Sequence, residues 1–132
     1  MGAEPYSYEI AYKDDIDEAV SELKNKVFVS KEFRYSEMNP ATIREAIENA
    51  MEDGTASILD IYKVSESHEI GCLSPLSESE LNDFFGTTKP SIEEINNSME
   101  FWDSIGRCEA RYITIYDANN PIKIFIAGYS AD

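Results

Sequence analysis

The chain has 132 residues, of which 42% are hydrophobic and 28% charged, so its length predicts one domain over residues 1–132 that needs no disulfide or metal to fold. Eleven basic residues against 26 acidic ones give a formal net charge of −15. This balance disfavours nucleic acids and anionic membranes as partners, because both are bound through basic patches.

The first residues and the cysteines indicate a cytoplasmic protein. The opening MGAEPY has no cationic stretch followed by an apolar run, as a secretory leader would, and a Tyr at position 6 does not fit an acylation signal. No apolar run is long enough to cross a bilayer. Cys72 and Cys108 are expected to be free thiols, since disulfides are rare in a reducing compartment.

Hydrophobic periodicity predicts the elements of the first third of the chain. Alternating aromatic and branched residues predict a strand over 6–12, and apolar residues at helical spacing predict a helix over 16–27. Residues 31–41 lack periodicity and are expected to form a loop. A capping box made by Thr42 and Glu45 predicts the start of a second helix.

The middle of the chain combines an apolar segment with polar turns. Residues 57–64 are predicted to form an interior strand, because apolar side chains fall on both of its faces. Residues 65–75 are polar and rich in turn-forming types. Two further capping boxes predict a short helix after Ser77 and a longer one after Ser91, which ends at Gly106.

The turn sequence DANNP between two β-rich segments is the strongest hairpin signal in the chain. The predicted strands are residues 111–116 and 122–127. A loop over residues 118–121 would place Ile113 opposite Ile126 and Ile115 opposite Ile124. This register collects the isoleucines on one face and the aromatic side chains on the other, which a one-residue slip would reverse.

The predicted order is therefore β-α-α-β-α-α-β-β. The simplest architecture is an α+β fold with a mostly antiparallel sheet of about four strands and helices on one face. The open face would then expose Tyr62, Tyr112, Tyr116 and Phe125 together, and clustered aromatic side chains favour protein–protein contact. The alternative is that residues 31–41 fold over this face.

Three hypotheses for function follow. The acidic composition and the tyrosine-rich face favour a protein-binding module, in the manner of an inhibitor or immunity protein, with a basic partner. A small-ligand protein or enzyme is the second, with a site near Asp60, His68 and Cys72. The third is a homodimer without catalytic activity that pairs its open faces or its last strand.

The residues of the second hypothesis also have structural explanations. Asp60 lies within an apolar segment, where a carboxylate needs a partner, and it can either point to solvent or pair with Arg111. His68 and Cys72 can be a solvated loop histidine and a half-buried thiol. No metal and no cofactor are predicted, because neither metal-ligand spacing nor a glycine-rich phosphate loop occurs in the sequence.

Four segments resemble small single-domain bacterial proteins. They are residues 6–19 (YSYEIAYKDDIDEA), 52–61 (EDGTASILDI), 85–91 (FGTTKPS) and 124–132 (IFIAGYSAD). The likeness covers most of the chain. It implies a single-domain bacterial protein and brings with it no activity, cofactor, partner or site residue.

Overall fold

The computed structural model describes residues 3–132 and has a five-stranded sheet with helices against both faces. The strands are β1 (Pro5–Ala11), β2 (Lys63–Val64), β3 (Cys72–Pro75), β4 (Ala110–Asp117) and β5 (Asn120–Tyr129). The helices are α1 (Ile16–Ser30), α2 (Ile43–Ala50), α3 (Glu78–Phe85), α4 (Ile92–Asn97) and α5 (Met99–Asp103). Residues 1 and 2, on which part of the leader prediction rests, lie outside the described residues.

The strand order across the sheet is β1-β5-β4-β3-β2. Strand β5 is antiparallel to both of its neighbours, whereas β2, β3 and β4 run parallel to one another. The α+β class is confirmed, but the sheet has five strands rather than about four and is mixed rather than mostly antiparallel. The strand that sequence patterning missed is β3, because four residues inside the polar segment 65–75 are too few to show a period.

Both faces of the sheet are covered, so the prediction of helices on one face is wrong. Neighbouring residues of β5 alternate between two apolar cores. Ile124 and Ile126 pack with α1 and α2 on what we call the α1 side. Phe125 and Ala127 pack with α3, α4 and α5 on the opposite, α3 side. The central strands are therefore buried on both faces.

The β4–β5 hairpin is present, but its predicted register is wrong by one residue. Ile113 lies opposite Phe125 rather than Ile126. The chain reverses over two residues, Ala118 and Asn119, and a bulge close to the turn absorbs the difference in length between the strands. Because both faces are buried, isoleucine and aromatic side chains can share one face at no cost in free energy. The separation of isoleucines from aromatic residues therefore does not determine the register.

The interior strand predicted over 57–64 is present only as Lys63–Val64. The preceding residues form a single 3-10 turn, Ile58–Asp60, whose N-terminus is capped by the Ser57 hydroxyl accepting from the N–H of Leu59. Ile58 and Leu59 are both buried on the α1 side. The apolar residues at successive positions therefore mark a buried turn rather than a buried strand.

The predicted helix starts are confirmed at the level of individual hydrogen bonds. The side chains of Thr42, Ser77 and Ser91 each accept the N–H three residues later, and the last two form complete capping boxes. The longer helix expected after Ser91 is divided at Ser98, whose hydroxyl accepts from the N–H of Phe101 and starts α5.

Two tyrosines of β1 differ in how their hydroxyl groups are satisfied. The Tyr8 hydroxyl accepts a hydrogen bond from the N–H of Ile58 at 3.2 Å. The Tyr6 hydroxyl is buried and has no hydrogen-bond partner within residues 3–132. Burial, with the nearby charge of Asp60, raises the pKa of Tyr6 far above its ordinary value, so this hydroxyl stays protonated.

This difference predicts opposite outcomes for the same substitution. Tyr8→Phe is expected to lower the free energy of unfolding by about 1–2 kcal/mol, because it leaves the Ile58 N–H without its acceptor. Tyr6→Phe should leave stability unchanged or raise it, since the hydroxyl that is removed makes no hydrogen bond. Urea denaturation of both variants measures the contrast, and equal losses would contradict it.

Candidate functional site

The four aromatic residues predicted to share an exposed face do not form one surface. Phe125 is 2% exposed and lies in the core on the α3 side, so its predicted exposure is wrong. Tyr62 is 69% exposed beside the short edge strand β2. Tyr112 and Tyr116, in contrast, both lie on β4 and line the same pocket, although the ring of Tyr112 packs against the core on the α1 side.

Residues 31–41, the alternative cover for that face, pack elsewhere. Phe33 belongs to the core on the α1 side and stacks on Phe28 of α1, with 6.0 Å between ring centroids. Phe125 is therefore covered by α3, α4 and α5, which sequence patterning assigned to the other face of the sheet.

The pocket with the two tyrosines opens where β3 ends, and we call it the β4-edge pocket. Its volume is about 270 Å3. Apolar side chains in its lining are Leu76, Leu81 and Ile113, and polar ones are Glu78, Thr88 and Lys89, beside Tyr112 and Tyr116. It thus combines apolar surface with hydrogen-bonding groups, which is the usual composition of a binding site.

One wall of this pocket is an unpaired strand edge. Strand β3 pairs with β4 only as far as Tyr112, whose carbonyl accepts from the N–H of Leu76 at 3.3 Å. Backbone groups alternate in direction along a strand, so Thr114 and Tyr116 direct their N–H and C=O groups to the same side as Tyr112. Within the described part of the chain, no strand occupies this side of β4 beyond Pro75.

Lys89 lies across the free edge. Its Nζ is 5.0 Å from the centroid of the Tyr116 ring, a cation–π contact, and it donates a hydrogen bond to Asn119 Oδ1 at 2.7 Å. The loop after α3 is thereby tied to the β4–β5 turn. The side chain partly covers the pocket without pairing the backbone of β4.

His68, from the second hypothesis, belongs to a hydrogen-bonded network around Arg111. Its Nε2 is 2.7 Å from Glu109 Oε1, and Arg111 Nη1 is 3.2 Å from its Nδ1. Arg111 is only 2% exposed and also donates to both carboxylate oxygens of Glu80, at 2.8 and 3.1 Å. This contact lowers the pKa of the Glu80 carboxyl.

Asp60 has a structural partner close in sequence. Its carboxylate accepts hydrogen bonds from the N–H and the hydroxyl of Thr55, both at 2.8 Å. The suggested pairing of Asp60 with Arg111 is wrong, because Arg111 is bound to Glu80. The carboxylate therefore shapes the loop before β2.

Cys72 is buried in β3 and is 1% exposed. Both ring nitrogens of His68 are engaged, by Glu109 and Arg111, so the imidazole is not paired with the thiol. Among residues 3–132, Asp60, His68 and Cys72 share no hydrogen bond with one another. The contacts of His68 are those of a group that joins the loop before β3 to β4.

Among the lining residues of the β4-edge pocket that sequence patterning missed are Glu78, Lys89 and Thr114, which contributes its backbone. Each of them matters only because β3 stops at Pro75, and β3 itself gives no periodic signal.

Further observations bear on the class of protein. None of the helices in the described chain is long and apolar enough to cross a bilayer. Within residues 3–132, no group of three or more His, Cys, Asp and Glu side chains is placed to hold a metal ion. Comparisons of the chain with models of known protein families, with curated proteins and with solved structures find no match.

Proposed function

We propose that this protein is a protein-binding module that takes up an extended, cationic segment of its partner in the β4-edge pocket. The observation that carries the proposal is the free edge of β4, which continues for five residues, 113–117, beyond its last pairing with β3. The N–H and C=O groups of Thr114 and Tyr116 line this edge at strand spacing. They match the backbone of an added strand.

The side chains around the edge support an extended polypeptide as the ligand. Alternate residues of an added strand would direct their side chains towards Leu81, which is half-buried and offers apolar surface in the pocket. The ring of Tyr116, which is 36% exposed, offers further contact area with a polar tip, whereas the Tyr112 ring packs against the core on the α1 side. Backbone pairing supplies affinity in such complexes, and the side-chain pockets supply specificity.

Charge supports a cationic partner. The chain carries a formal net charge of −15, and Lys89, the one cation in the lining, is already engaged by Tyr116 and Asn119. Glu78 in the lining and Asp117 at the end of β4 would face basic side chains of the bound segment. Complementary charge of this kind accelerates association and disfavours acidic competitors.

A titration with two model peptides tests the proposal. The probe is an eight-residue peptide of alternating valine and lysine, and the control alternates valine and glutamate. We expect the lysine peptide to shift the amide resonances of Thr114 and Tyr116 in the 15N-labelled chain. Thr114→Pro, which removes an N–H directed into the pocket, should weaken binding at least tenfold.

Ser7→Pro is the matched control for this variant, since it removes an outward N–H from the opposite edge strand, β1, and should leave peptide binding unchanged. Tyr116→Ala is a second test at an exposed position in case Thr114→Pro does not fold. Equal binding of the two peptides, or full binding by folded Thr114→Pro, would refute the proposal.

A further inference from the structure

Strand β1 is the other long free edge of the sheet. It pairs with β5 on one side, and Tyr12, just after it, donates its N–H to the carbonyl of Ile122. This bond places the even-numbered residues of the segment towards β5. Ser7, Glu9 and Ala11 therefore direct their N–H and C=O groups away from the sheet, where a further strand would pair with them.

A groove of about 270 Å3 runs between this edge and α1. Its apolar lining includes Ile10 and Leu23, and its charged lining consists of Glu9, Lys13, Glu22 and Lys26. Two carboxylates and two ammonium groups balance there, although the chain as a whole carries a formal net charge of −15. Within the chain, Lys13 pairs with Glu22 and Lys123 pairs with Glu9, so carboxylates at this edge are partly neutralised where a second copy would approach.

We propose that β1 pairs antiparallel with β1 of a second copy, so that two five-stranded sheets join across a two-fold axis. The edge is self-complementary in the register centred on Tyr8. Ser7 then lies opposite Glu9 of the second copy, and Pro5 lies opposite Ala11. No carboxylate faces another along the strands, and Pro5, which has no N–H, sits at the end of the pairing.

The same axis brings the two α1 helices side by side on one face of the joined sheet. Glu22 and Lys26 line the groove and therefore lie on the surface of α1 nearest the edge. In an antiparallel arrangement, Glu22, whose carboxylate is 2.5 Å from Lys13 Nζ of its own chain, also approaches Lys26 of the other copy. The charges on the helices are therefore self-complementary, as an isologous contact requires.

Sedimentation equilibrium of the full chain tests this interface. We expect a mass of twice 14.9 kDa at tens of micromolar protein, together with slow hydrogen exchange at the amides of Ser7, Glu9 and Ala11. Ser7→Pro should weaken the dimer at least tenfold, because it removes an outward donor from β1. Thr114→Pro is the matched control on the other free edge and should leave the dimer intact.

Charge reversal gives a second test that does not depend on a proline. Glu22→Lys and Lys26→Glu should each weaken dimerisation severalfold. The double variant should restore it, because it swaps the two charges and leaves each carboxylate opposite an ammonium group of the other copy. A mass of 14.9 kDa at every concentration, or a dimer that survives Ser7→Pro and both single reversals, would overturn the proposal. Peptide binding at the β4-edge pocket is independent of either result.

Discussion

Replacing Gly128 by alanine is expected to lower the free energy of unfolding by about 3 kcal/mol, a large loss for the addition of one carbon atom. Gly128 of β5 lies opposite Tyr6 of β1, and the Tyr6 side chain occupies the space above it. A Cβ at this position would lie 2.5 Å from both Cζ and the hydroxyl oxygen of Tyr6. Because Tyr6 is buried, with 8% of its surface exposed, its ring has little room to turn aside, and we expect β1 to shift.

The loss of stability caused by Gly128→Ala should depend on the presence of the Tyr6 ring. In a Tyr6→Leu background, Gly128→Ala is expected to cost less than half as much, and urea denaturation of the two single variants and the double variant measures this coupling. Gly86→Ala is the control for backbone strain, since Gly86 has φ +72° but, among residues 3–132, no atom lies within 4 Å of an added Cβ. A Gly128→Ala loss no larger than that of Gly86→Ala would contradict the packing argument.

Arg111→Met is expected to lower the free energy of unfolding by about 3 kcal/mol, because it removes the central donor of a buried network. The guanidinium donates to the carbonyl of Pro75 at 2.9 Å as well as to Glu80 and His68. It therefore joins the end of β3 to α3 and to the loop before β3. His68→Gln, at the exposed end of the network, is the control and should cost much less.

Arg111→Met should also change how the free energy of unfolding depends on pH in the acid range. The Arg111 guanidinium holds the pKa of Glu80 below its ordinary value of 4.5. A lowered pKa in the folded state means that this contact contributes fully above about pH 4.5 and is lost as the pH falls through the lowered value. The stability difference between the unaltered chain and Arg111→Met should thus narrow below pH 4.5.

Urea denaturation between pH 7 and pH 3 measures how this stability difference changes with pH. The difference between the unaltered chain and Glu80→Gln should narrow over the same range. A difference between the unaltered chain and Arg111→Met that stays constant over the whole range would mean that Glu80 is not the group to which the guanidinium contributes.

The proposed contact surface shows how far sequence reasoning reaches in this protein. Tyr112 and Tyr116 were predicted to share a contact surface; both residues line the β4-edge pocket, but the ring of Tyr112 packs against the core on the α1 side. The prediction joined Phe125 to them because it assumed an uncovered face, yet the ring lies in the core on the α3 side. Whether a strand residue is exposed depends on which helices cover that face of the sheet. The positions of the helices along the sequence do not show which face each helix covers.

The local structure of this chain was readable from its sequence. Helix starts at Thr42, Ser77 and Ser91, the two-strand hairpin and the amphipathic α1 all depend on residues within a few positions of one another. Their hydrogen bonds and periodicities are short-range, so composition and spacing suffice to predict them.

Only the tertiary structure decided the remaining features, which are the pairing of β3, the covering of both sheet faces, the hairpin register and the two free edges. A strand as short as β3 forms because its backbone groups pair with those of β4. Arg111 contacts Glu80 because α3 packs on the face of the sheet to which the Arg111 side chain points. The pairing of β3 with β4 and the contact of Arg111 with Glu80 each join residues more than thirty positions apart. Many pairings of the strands and helices would bury a similar apolar area. The intrinsic helix or strand preference of each segment does not select one of these pairings.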